Sequence, residues 1–117
     1  MSTKVYNKLV RDNMVGIYIS DKSKNLSSDF KVRNLSQEEI LEHLKTKLTE
    51  ESNELTESYA DNQKLQEEIA DVLEVLDAIV YHKGFSKETI ESIQKDKKEK
   101  RGGFEKGIYL ESINYLE

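Results

Sequence analysis

The chain has 117 residues, of which 36% are apolar and 35% are charged, and its formal net charge is −5. This length predicts one domain over residues 1–117, and the acidic balance argues against a protein that binds along a nucleic-acid polymer. The absence of cysteine excludes disulfides and thiolate metal sites, and no apolar stretch is long enough for a membrane span, so we expect a soluble cytoplasmic protein.

The first 35 residues carry weak structural signals. Val10, Met14 and Ile17 have helical spacing, and residues 21–29 are polar, as in a loop. Residues 30–35 (FKVRNL) alternate as a short strand would. Short extended segments near the termini are therefore compatible with the pattern.

The middle of the chain predicts two long helices. Ser36 followed by Glu39 forms a capping box that opens a helix over about residues 37–60. After a short break, a second helix is predicted over 63–83, with Gly84 placed to end it in a left-handed conformation. Because the connection is short, the two helices should be antiparallel, and we predict an all-α helical bundle built on them.

The last third of the chain predicts one more helix. Ser86 can cap it, and Gly102 with Gly103 can stop it after a run of basic residues. Residues 108–116 have apolar positions that fit neither the helical nor the strand period, so both structures stay open there.

Two acidic residues of the first long helix lie at or near its apolar stripe. At about 100° per residue, Glu51 falls inside that stripe and Glu54 lies about 60° further round. The stripe consists of Leu44, Leu48 and Leu55.

The second long helix repeats this arrangement. Glu68 lies beside its apolar stripe, and Asp71 follows three residues later on the same side. The stripe consists of Leu65, Ile69, Val72, Leu76 and Ile79.

Four carboxylates that face one helix interface need cations. Each ionised group loses hydration worth several kcal/mol unless a partner replaces the water, and oxygen ligands select hard ions. We therefore expect a site for Mg²⁺, with Mn²⁺ as a substitute, held by Glu51, Glu54, Glu68 and Asp71. A ferritin-like di-iron site is excluded, because no histidine has a glutamate three residues before it.

A Mg²⁺ cluster on helices suits the hydrolysis of a phosphoanhydride bond, because the ion joins carboxylates to phosphate oxygens. Basic side chains should then hold the phosphates that the metal does not contact. Lys47, Lys97 and Arg101 are the candidate substrate-binding residues.

Four segments carry a resemblance to a known family. They are YNKLVRD at residues 6–12, LKTKLTEESNEL at 44–55, EEIADVLEVLDAI at 67–79 and KRGGF at 100–104. With them the chain resembles the MazG-type all-α nucleoside triphosphate pyrophosphohydrolases, in the branch similar to phosphoribosyl-ATP pyrophosphohydrolase. The family signature EExxE followed by ExxD stands here as Glu50, Glu51, Glu54, Glu68 and Asp71. The common continuation Lys-Ile-Pro after Arg-Asp is replaced by Asn13, Met14 and Val15.

The resemblance implies a dimer or tetramer that cleaves a nucleotide between its α and β phosphates and releases pyrophosphate. It implies that Glu51, Glu54, Glu68 and Asp71 bind Mg²⁺. It also implies that Glu50 is a further ligand or a base that orients water, so Glu50 and Glu51 are the candidate catalytic residues.

Several functions stay open at this point. A house-cleaning enzyme that removes noncanonical or surplus nucleotides is favoured, and phosphoribosyl-ATP hydrolysis in histidine biosynthesis is the alternative within the family. A noncatalytic helical module that binds a divalent ion or a basic partner is the alternative outside it. If the helix phase is mistaken, the acids simply face solvent.

Overall fold

The computed structural model describes residues 3–20 and 31–116. This part of the chain contains four α-helices and no strand, which confirms the prediction of an all-α fold for it. The helices are α1 (Met14–Ser20), α2 (Gln37–Glu57), α3 (Asn62–His82) and α4 (Lys87–Arg101). None of these helices is long and apolar enough to cross a membrane.

Helix α2 begins at the predicted capping box. The Ser36 hydroxyl accepts a hydrogen bond from the Glu39 backbone N–H at 3.2 Å, and the Glu39 carboxylate accepts one from the Ser36 N–H at 3.1 Å. Arg33 also donates to Glu39 at 3.0 Å. The hydrogen bond from Arg33, followed by those from Ser36, lowers the pKa of Glu39 to about 2. The helix start is therefore fixed by local polar contacts.

The break between α2 and α3 begins about three residues earlier than predicted and ends one residue earlier. Helix α2 ends at Glu57, and the Asp61 carboxylate caps α3 by accepting from the Lys64 N–H at 3.1 Å. Gly84 has a φ of +70°, as predicted for the residue that follows the end of α3. Only glycine adopts this conformation without steric cost, so it stops the helix here.

Helices α2 and α3 pack antiparallel against each other. The side chain of Gln37, at the start of α2, donates to the backbone carbonyl of His82, at the end of α3. Leu44 of α2 and Val75 of α3 are the buried apolar residues of the described chain, with 4% and 8% of their surface exposed. The core is thus a narrow seam between two helices.

The predicted apolar stripe of α3 is partly wrong. Ile69 and Leu76 were placed in it, yet they are 44% and 42% exposed, whereas Val75 and Glu68 are buried. At about 100° per residue, the buried face is centred about 60° away from the predicted stripe, in the direction of Glu68. Helix α3 has apolar side chains both on the buried face and on the predicted stripe, so periodicity alone did not show which of the two faces α2.

The extended segments expected near the termini do not form strands. Residues 31–35 belong to no helix or strand, and Phe30 lies outside the described residues, as does the predicted loop over 21–29. Residues 108–116 are neither helix nor strand. A strand needs a neighbouring strand to bind its backbone groups, and the described residues supply none.

The described chain divides into two compact units, one that ends at Gly84 and one that begins at Phe85. The second unit contains α4, which has no buried residue and is followed by Gly102, whose φ is +84°. Within that unit, Lys98 and Glu105 form an ion pair at 3.5 Å. The single domain over 1–117 stays a prediction.

Candidate metal centre

Three carboxylates from α2 and α3 converge in the structure. One carboxylate oxygen from each of Glu51, Glu68 and Asp71 lies within 4.8 Å of the other two. Glu68 and Asp71 are at i and i+3 of α3 and project from one side of it, and the antiparallel pairing brings Glu51 of α2 to the same place. We call these three residues the acidic cluster.

The acidic cluster is partly withdrawn from water. Glu68 is buried, with 9% of its surface exposed, and Glu51 and Asp71 are half-buried. The Oε2 atoms of Glu51 and Glu68 are buried and have no hydrogen-bond donor among the described residues. Most buried polar atoms have a partner, so two unpaired carboxylate oxygens at one place indicate a missing cation or donor.

Burial and neighbouring negative charge both raise the pKa of the Glu51 carboxyl. Loss of hydration raises the pKa of the Glu51 carboxyl most, and the negative charges of Glu54 and Asp71 raise it further. The ammonium group of Lys47 acts in the opposite direction, but the pKa stays raised. The metal-free site therefore holds protons more strongly than an exposed glutamate does.

Glu68 is affected in the same way. Burial raises the pKa of the Glu68 carboxyl most, and the negative charges of Glu54 and Asp71 add to the effect, while the charge of Lys64 opposes it. Glu54 itself is exposed, and it is outside the group of three with the shortest mutual distances. Its negative charge nevertheless acts on the carboxyls of both Glu51 and Glu68. The structure thus brings together three of the four residues predicted as metal ligands, and the part of Glu54 in metal binding stays a prediction.

The N-terminal segment supplies a cation that the sequence did not assign. The Arg11 guanidinium donates from Nη2 to Oδ1 of Asp71 at 2.7 Å, across 60 positions of sequence. Arg11 belongs to the YNKLVRD segment, which carried the resemblance without a residue role. Helical periodicity gives no information on such a contact, because the segment that contains Arg11 precedes α1 and is not helical.

Two predicted site residues of α2 lie on the side that faces the N-terminal segment. Lys47 is half-buried and Glu50 is exposed, and both line a cavity of about 200 Å³ together with Tyr6, Lys8 and His43. Glu50 is therefore not a member of the acidic cluster. Its predicted part in catalysis stays a prediction.

The other predicted substrate-binding residues, Lys97 and Arg101, lie on α4 in the second unit. Both are exposed, and Arg101 is the last residue of the helix. Their role toward the substrate stays a prediction.

The acidic cluster has the chemistry of a site for a hard divalent ion. Its donors are all carboxylate oxygens, which suit Mg²⁺, Ca²⁺ and Mn²⁺ and not the softer metals that prefer nitrogen or sulfur. The three oxygens lie within 4.8 Å of one another, which is no more than about twice a metal–oxygen bond of about 2.4 Å, so one ion can contact all three groups. The donor set fits Mg²⁺ without identifying it.

Comparison of the chain with protein-family models, with curated protein sequences and with solved structures gives no match in any of the three.

Proposed function

We propose that this protein is a Mg²⁺-dependent nucleotide pyrophosphohydrolase that cleaves a nucleoside triphosphate into the monophosphate and pyrophosphate. The observation that carries the proposal is the buried, unpaired Oε2 of Glu68 inside a group of three carboxylates. A merely structural acidic face would be solvated, and these oxygens are not. The resemblance to MazG-type enzymes supports the same reaction.

In this reaction, Glu51, Glu68 and Asp71 would hold the ion, and Glu54 would complete the donor set from the exposed side. When bound, Mg²⁺ supplies positive charge that neutralises phosphate oxygens and activates water. Glu50 would orient that water and accept one of its protons. The water oxygen forms a new bond to phosphorus, the bridging P–O bond between the α and β phosphates breaks, and pyrophosphate leaves.

We further propose that the protein acts as a homo-oligomer in the cytoplasm. Ile69, Leu73 and Leu76 follow one another at helical spacing on α3 and are 44%, 56% and 42% exposed. The seam between α2 and α3 buries little apolar surface, and small cores are often completed by a second copy. A copy that packs on this face would bury side chains that one chain leaves in water.

The proposed reaction is tested with purified full-length protein, Mg²⁺ and a panel of common and modified nucleoside triphosphates, with pyrophosphate as the readout. Glu68→Gln should lower the rate by about a hundredfold or more, because it removes a metal ligand of the buried site. Glu67→Gln is the matched control, because Glu67 is an exposed neighbour on the same helix. A panel without any turnover, from protein that binds Mg²⁺, would favour the noncatalytic module.

A further inference from the structure

The cavity that Lys47 and Glu50 line lies between the N-terminal segment and α2. Its volume is about 200 Å³, and its polar lining includes Tyr6, Lys8, His43, Lys47 and Glu50. Pockets for whole drug-sized ligands are larger, roughly 300–1,000 Å³. The cavity therefore has room for one part of a nucleotide and not for all of it.

The backbone of the N-terminal segment shapes this cavity. Asn7 has a φ of +45°, in the left-handed region that few residues other than glycine and asparagine adopt. This turn lies between Tyr6 and Lys8, which both line the cavity. Further along, Arg11 of the same segment forms an ion pair with Asp71 of α3.

Two basic residues, Lys47 and Arg11, connect the cavity with the acidic cluster. Lys47 lines the cavity, and its charge also acts on the carboxyl of Glu51. Arg11 follows the cavity lining by two residues and contacts Asp71 directly. The N-terminal segment and α2 therefore supply both the lining of the cavity and contacts to the acidic cluster.

The charge of the lining favours an anion. The lining contains the two ammonium groups of Lys8 and Lys47 and one carboxylate, that of Glu50. The ring nitrogens of His43 can also donate a hydrogen bond. Stacking of a nucleobase on Tyr6 is disfavoured, because the ammonium groups of Lys4 and Lys8 already lie 5.0 and 5.8 Å from the centre of its ring.

We propose that this cavity is the subsite for the polyphosphate end of the substrate, with Lys8 and Lys47 as its phosphate contacts. The assignment rests on the proposed function, since it gives a place to the part of the nucleotide that leaves as pyrophosphate. Lys8 lies outside the acidic helices and becomes a binding residue only through the fold. The carboxylate of Glu50 also lines this cavity, so a phosphate there would need the charge of Mg²⁺ to offset the repulsion.

Inorganic pyrophosphate with Mg²⁺ tests the subsite without turnover, by isothermal titration calorimetry on the full chain. Lys8→Ala and Lys47→Ala should each weaken pyrophosphate binding by about tenfold, the loss of one charge-assisted hydrogen bond. Lys8→Arg should retain most of the affinity, because it keeps the charge and the donors.

Two lysines provide matched controls. Lys4 also lies over the Tyr6 ring but does not line the cavity, and Lys45 pairs with Glu42 at 3.0 Å elsewhere on α2. Lys4→Ala and Lys45→Ala should bind pyrophosphate within about twofold of the wild type, as expected for exposed charges.

The subsite and the proposed reaction can fail separately. If nucleotides are hydrolysed but Lys8→Ala and Lys47→Ala keep wild-type KM and pyrophosphate affinity, the subsite is wrong and the reaction stands. If no nucleotide is hydrolysed but both variants bind pyrophosphate more weakly than the wild type, the polyphosphate site stands and the reaction is wrong. Binding of an unphosphorylated nucleoside that is weakened by Lys8→Ala would also overturn the subsite.

Discussion

The Nη2 atom of Arg11 lies 2.7 Å from Oδ1 of Asp71, so a guanidinium group from the N-terminal segment contacts the acidic cluster. The two side chains are 60% and 39% exposed, and such a pair contributes little to stability, about 0–1 kcal/mol. The main effect of the pair is that the positive charge of Arg11 offsets the negative charge of Asp71. In the metal-free protein, Arg11 supplies positive charge to an oxygen that a divalent ion would also bind.

Removal of the Arg11 charge should therefore strengthen metal binding. We expect Arg11→Gln to bind Mg²⁺ about two- to fivefold more tightly than the wild type in the absence of nucleotide, because the ion no longer competes with the guanidinium. Calorimetric titration with Mg²⁺ alone measures this. Arg33→Gln is the control, since Arg33 forms a similar exposed pair with Glu39, at 3.0 Å, at the start of α2. Weaker Mg²⁺ binding by Arg11→Gln would contradict competition.

The buried carboxylate of Glu68 should cost stability when no ion is present. Glu68→Gln keeps the shape of the side chain and removes the charge, so we expect a higher melting temperature than the wild type in the presence of a chelator. The same variant should lose the rise in melting temperature that Mg²⁺ gives to the wild type. Glu67→Gln should change neither value. A Glu68→Gln protein that melts below the wild type in chelator would show that the carboxylate has a stabilising partner.

The sequence predicted the parts of this fold that depend on local contacts. Ser36 and Gly84 act within three or four residues of themselves, so the start of α2 and the end of α3 follow from them within a few residues. The convergence of Glu68 and Asp71 also follows from the i, i+3 spacing on one helix.

The sequence did not predict the features that depend on tertiary packing. The contact of Arg11 with Asp71 spans 60 positions, and no periodic pattern encodes it. The orientation of α3 was also missed, because Ile69 and Leu76 continue an apolar stripe as well as Val75 does, and only the packing against α2 shows which are buried. The error placed Glu68 at the margin of the buried face, whereas it lies at its centre.

The exposed apolar face of α3 predicts self-association. We expect the wild type to sediment as a homo-oligomer and Leu73→Glu to sediment as a monomer, because a carboxylate at the centre of the interface would be buried without a partner. Val32→Glu introduces the same group at a residue that is 67% exposed outside the helices, and it should leave the oligomer intact. A wild type that stays monomeric in analytical ultracentrifugation across the concentration range would show that this face is not an interface between copies.

The raised pKa values of Glu51 and Glu68 predict how stability and metal binding depend on pH. The fold favours the protonated forms of both carboxyls. In the metal-free protein, their contribution to folding stability is therefore fully present below the usual pKa of 4.5. The metal-free protein loses stability as the pH rises from 4.5 through the raised values. Glu39 acts in the opposite sense, because its pKa of about 2 gives stability that is lost as the pH falls from 4.5 toward 2.

Binding of a divalent ion should replace the retained protons. The gain in melting temperature that Mg²⁺ produces should therefore increase as the pH rises above 4.5, and each ion bound should release protons in that range. Thermal melts with chelator and with Mg²⁺ at each pH measure the gain, and calorimetry in two buffers of different ionisation enthalpy measures the protons. In Glu68→Gln the proton release should be smaller, because one of the two titrating groups is gone. A Mg²⁺ effect that does not change with pH would place the ion away from Glu51 and Glu68, since an ion that contacts them must compete with their protons.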